Sequence, residues 1–98
     1  MNEPTTKERV GCWSVTILRA SGVIEKLELQ EYPTLKTMQS WVGGYIERVP
    51  VNATAPCKTM IVNEDGIFKN LPVNVRASAY YDHGPILGDV ALLDFELE

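Results

Sequence analysis

Asn63, Asn70, Asn74 and Arg76, with Tyr80 a helical turn beyond Arg76, are the side chains in this sequence best suited to holding a ligand. Most of them fall within Asn63-Glu64-Asp65-Gly66-Ile67-Phe68-Lys69-Asn70-Leu71-Pro72-Val73-Asn74-Val75-Arg76. A helix opening at Asn74 would present backbone N–H groups beside Arg76, a combination suited to a small anion such as a nucleotide signal. The same asparagines also suit turns and helix caps, which is their commoner duty. Both readings are open at this point. Tyr80 and Tyr81 are adjacent, so on a helix they point about 100° apart. One of them can pack while the other lines a surface or an interface.

Catalytic chemistry has less to work with. A Cys or Ser nucleophile needs a base, and His83 is the one histidine, placed in a helix-stop segment where a solvated or C-capping imidazole is expected. Glu64, Asp65, Asp82 and Asp89 could meet in space, but carboxylates on turns are expected to form a solvated rim. Nucleotide-binding loops, zinc-protease motifs and hydrolase elbows are absent from the sequence, and no enzyme activity is expected. Cys12 and Cys57 have no metal-ligand spacing, and a structural zinc would need four ligands. Two reduced thiols are expected, or one disulfide if their strands lie side by side. Asn63-Glu64-Asp65-Gly66 looks like part of a calcium loop, yet the twelve-residue ligand spacing and its terminal Glu are missing. No metal or cofactor is expected.

A chain of 98 residues with 45% hydrophobic and 22% charged side chains fits one folded domain. Residues 1–50 carry six Lys+Arg and six Asp+Glu, whereas 51–98 carry three against seven, so the net charge of −4 resides in the second half. That balance disfavours phosphate-backbone binding, and nucleic acid is an improbable partner. The aromatics are not interleaved with cations as a base-stacking platform requires. No run is long and apolar enough for a membrane span or a signal peptide, so a cytoplasmic protein is expected. Asn52-Ala53-Thr54 is then an accidental glycosylation sequon.

The elements that must position these residues read in order. After a polar leader over 1–11, Trp13, Val15 and Ile17 alternate with Ser14 and Thr16, the period of a half-buried strand. Ala20-Ser21-Gly22 turns the chain into Val23–Gln30, where Leu27 and Leu29 share a face, completing a hairpin. Pro33-Thr34 starts a helix whose apolar stripe is Leu35, Met38, Trp41 and Val42, and Gly43-Gly44 stops it. Strands are expected at Tyr45–Val51, Lys58–Val62 and Ile67–Lys69, the last two joined by a type I turn. Asn74 caps a second helix over Val75–Tyr81, which Gly84-Pro85 ends. Ile86–Leu97 is a last strand, bent at Gly88-Asp89, with Leu93, Phe95 and Leu97 facing a core. The expected fold is α+β: one small domain, a mostly antiparallel mixed sheet with two short helices, in the order β-β-α-β-β-β-α-β.

Three stretches, 38–47 (Met-Gln-Ser-Trp-Val-Gly-Gly-Tyr-Ile-Glu), Val62–Gly66 with Leu71–Asn74, and Ile86–Val90, together resemble the DUF3846 domain family over roughly residues 13–95. The charged leader and the Pro-containing loop at 52–57 depart from the pattern. The resemblance implies an accessory protein of a bacteriophage or mobile element in a bacterial cytoplasm, and it brings no catalytic residue or ligand with it. The leading expectation is a non-enzymatic module that binds a host bacterial protein, with a homodimer that buries a sheet edge as a further expectation. Its rivals are a module that binds a nucleotide signal at Asn74–Arg76 and a DNA-associated regulator.

Overall fold

The alternating residues of the first third pair as expected. In the computed structural model, which describes residues 13–97, β1 (Trp13–Leu18) and β2 (Ile24–Leu29) run antiparallel with Trp13 opposite Leu29 and Leu18 opposite Ile24. Gly22 closes their turn at φ 100°, a backbone angle that disfavours any residue with a Cβ. The leader over 1–11, Cys12 and any pairing of Cys12 with Cys57 lie outside the described residues.

Helix α1 (Leu35–Val42) begins where Thr34 Oγ1 accepts from the Thr37 N–H at 3.1 Å and ends at Gly43, φ 79°, whose N–H donates to Gln39 O. Met38, Trp41 and Val42 are buried, but Leu35, expected on the same stripe, is 56% exposed in the first turn. Gly44 serves a different purpose from Gly43. A Cβ there would lie 2.9 Å from both Asn63 Nδ2 and Lys69 Nζ, so the glycine lets the 63–69 segment close over the helix end.

Strands β3 (Ile46–Val49), β4 (Thr59–Asn63) and β5 (Val90–Leu93) complete a five-stranded sheet in the order β2-β1-β5-β4-β3. The α+β architecture is as expected, although every neighbouring pair is antiparallel rather than mixed. One expected element is missing: Ile67-Phe68-Lys69 is a run of turns. Its amides bond locally, Lys69 N–H to Asp65 O at 2.9 Å, Asn70 N–H to Ile67 O at 3.1 Å and Leu71 N–H to Gly66 O at 3.0 Å. Asn70 adopts φ 52°, which takes the chain out of any strand path. The observed order is therefore β-β-α-β-β-α-β.

The sheet has a core on each face. Trp13, Val15, Ile17, Ile61, Ala91 and Leu93 face α1, whereas Leu18, Met60, Val62, Val90 and Leu92 face Ala77 of α2 (Val75–Ser78) and Ile86. Helix α2 is one turn long, and Tyr80 and Tyr81 follow it as tighter turns, donating to Ala77 O and Ser78 O. So short a helix has little stability of its own. Asn74 supplies the anchorage. Its side chain, 1% exposed, donates from Nδ2 to Leu18 O at 2.8 Å and Gly88 O at 2.9 Å, and Oδ1 accepts from the Ala77 N–H at 3.0 Å.

Asn74→Ala removes a cap and leaves two carbonyls without their donor, so urea unfolding should register a loss of about 3 kcal/mol. Asn74→Asp keeps the cap acceptor but sets a carboxylate against both carbonyls, and it should be destabilised at least as much. A near-neutral aspartate would contradict the donor role.

Candidate functional site

The most distinctive surface grows out of the end of β4. Asn63, 5% exposed, receives the Asp65 N–H on Oδ1 at 2.8 Å and donates from Nδ2 to Val42 O, an end carbonyl of α1, at 3.1 Å. Its own carbonyl accepts from the Gly66 N–H at 3.2 Å, the expected four-residue turn, while the Glu64 N–H reaches Tyr45 O at 2.8 Å. With the Lys69, Asn70 and Leu71 amides also bonded, the loop from 63 to 71 is tied down at both ends.

This fixed turn carries Ile67 and Phe68 outward, 82% and 90% exposed. Single exposed apolar residues are ordinary; two large ones adjacent at a loop tip are not. Beside Ile67 lies a groove of about 290 Å³ with Val49, Val62, Ile86 and Leu87 in its lining and Glu47 and Glu64 also contributing. Tyr81 and His83 form another wall, their rings edge-to-face with centroids 5.4 Å apart. An apolar side chain suits such a groove, and the two exposed carboxylates favour positive charge next to it.

The residues singled out from the sequence do not converge on one site. Asn74, Arg76 and Tyr80 line a second depression, about 560 Å³, which they share with Arg19 and the β1–β2 turn. Asn63 borders the groove by Ile67, and Asn70 lines neither. Asn63 and Asn74 both spend their side chains on internal hydrogen bonds. Arg19 donates to Glu25 at 3.0 Å and to Asp89 at 3.1 Å, and its guanidinium pKa is raised by the Glu25 hydrogen bond foremost, then by Asp89 against the cost of desolvation. That leaves Arg76 as the exposed guanidinium of this depression. Ile67 and Phe68 were legible only as strand residues; the signal against a strand is their confinement between Gly66 and Asn70.

The family model described as Domain of unknown function (DUF3846) matches residues 8–97. The chain belongs to DUF3846. No curated protein and no solved structure matches it. The DUF3846 match spans both the loop tip and the Arg76 depression. Among the described residues, no three His, Cys, Asp or Glu side chains are grouped to hold a metal ion, and no helix is long and apolar enough to cross a membrane.

Ile67→Ala and Phe68→Ala should each change folding stability by no more than about 0.5 kcal/mol, because neither side chain is packed. Cys57 behaves differently from a surface thiol. It is half-buried, and burial pushes its pKa up from 9.0, partly offset by a backbone hydrogen bond at Thr59. In a Cys12→Ser background, iodoacetamide should modify it more slowly at neutral pH than in urea. Because the fold favours the protonated thiol, stability should fall as pH rises past 9.0, and Cys57→Ser should remove that component.

Proposed function

We propose that this DUF3846 domain is a non-enzymatic accessory protein of a phage or mobile element that binds a host protein in the bacterial cytoplasm. The observation that carries the reading is the exposed Ile67–Phe68 pair on a loop whose backbone is already ordered. Fully burying a side chain of this size contributes about 1.5–3 kcal/mol, and a pre-ordered loop loses little entropy on docking. Aromatic anchors of this kind commonly dominate an interface. The groove by Ile67 gives a partner side chain a place to enter, and Glu47 and Glu64 favour a partner with basic residues around that side chain.

Tagged protein expressed in a bacterial host should retain a specific partner that Phe68→Asp loses by tenfold or more, while Leu35→Asp, at another exposed apolar residue, retains it. Equal recovery by all three, or recovery of nothing, would overturn the reading.

A second reading, a small anionic ligand, rests on exposed Arg76 beside Tyr80 at the 560 Å³ depression. Native mass spectrometry of gently purified protein tests it. A nucleotide-mass adduct lost in Arg76→Ala would promote this reading, and a clean protein mass would remove it.

A further inference from the structure

Among the described residues β2 and β3 are the outer strands of the sheet, and these two edges differ. β3 has four residues and runs into Pro50, features that discourage further pairing. β2 has six residues, pairs with β1 throughout without a bulge, and contains no proline.

Hydrogen-bond alternation fixes what β2 offers outward. The Arg19 N–H donates to Val23 O at 2.9 Å, which makes 19 and 23 a hydrogen-bonded pair. Alternation then assigns 17/25, 15/27 and 13/29 to the same class, so residues 25, 27 and 29 bond toward β1. The far side of β1 agrees, since the Asp94 N–H donates to Ser14 O at 3.1 Å, placing the even residues of β1 toward β5. Residues 24, 26 and 28 therefore turn their backbone N–H and C=O toward the outer edge.

A second antiparallel β2 can meet this edge only in registers that match outward residues with outward residues, so the two-fold axis must pass through a residue. Centred on Lys26, Lys26 faces Lys26. Centred on Glu25 or Glu28, glutamates face each other, and centred on Ile24 or Leu29, at the strand ends, Lys26 meets no carboxylate. Centred on Leu27, Lys26 faces Glu28 on both sides of the axis and Leu27 meets Leu27. Like charges directly opposite destabilise a sheet and opposite charges support it, so the Leu27-centred register is selected. Glu28 already accepts from Ser14 Oγ at 3.0 Å, and a carboxylate has acceptor capacity for a lysine as well. On the other face, Leu27 and Leu29 are half-buried against the α1-side core; Leu27 meets Leu27 at the axis, and Leu29 of each copy lies opposite Glu25, whose carboxylate Arg19 holds.

We propose that β2 is a self-association edge, pairing antiparallel with β2 of a second copy in the Leu27-centred register to form one continuous sheet. The surface is distinct from the Ile67–Phe68 tip. Analytical ultracentrifugation of the full chain across the micromolar range tests it. Wild type should dimerise. Lys26→Glu or Glu28→Lys turns both symmetry-related pairs into like charges and should weaken the dimer roughly tenfold or more. The double variant, Lys26→Glu with Glu28→Lys, should restore it. Lys26→Pro removes an outward N–H and leaves the bonds to β1 intact, so it should give a folded monomer, with thermal melting as the check on folding. A monomeric wild type overturns the proposal, as does a dimer indifferent to the charge exchange.

Discussion

The fold depends on one buried carboxamide more than on any other polar group. A site that needs two donors toward Leu18 O and Gly88 O, and one acceptor for the Ala77 N–H, is met by an amide and not by a hydroxyl or a carboxylate. Through those bonds Asn74 binds the end of β1, the bend before β5 and the start of α2 to each other. Ala77 then seals the second core, where Met60, Val90 and Leu92 would otherwise face solvent. A one-turn helix serves as a lid here because tertiary bonds hold it, not its own hydrogen bonds.

Asn63 acts in the same manner on the opposite face. Its amide takes an end carbonyl of α1, and its carbonyl oxygens hold the turn through Asp65 and Gly66. The chain between the two asparagines is anchored at both ends, and Ile67 and Phe68 stand out from it. Rigidity at the base and apolar exposure at the tip follow from the same hydrogen bonds. This is why the segment suits recognition: the cost of ordering it is met during folding rather than on binding.

Much of this was legible in the sequence. The β1–β2 hairpin, the Gly43 helix stop, the Asn74 cap and the bend at Gly88 follow from local periodicity and backbone preference. What was not legible depends on distant partners. Nothing local to Asn74 distinguishes a ligand-binding amide from one that bonds a carbonyl 56 residues earlier, and Asn63 reaches back 21 residues in the same way. Ile67-Phe68 has strand composition, yet a three-residue strand between turn residues has no neighbour to pair with, so it forms turns. Exposure of these two residues, rather than any polar cluster, defines the surface proposed for binding, and the sequence marked them only as part of a short strand.

Site-specific photo-crosslinking in a bacterial host tests the central claim most directly, with the photoreactive residue placed at position 68 in one protein and at position 35 in another. Both positions are exposed and apolar, and they belong to different elements. A docking role for the tip predicts a discrete protein adduct from position 68 and none of that mass from position 35. The same adducts from both positions, or none from position 68, would contradict it.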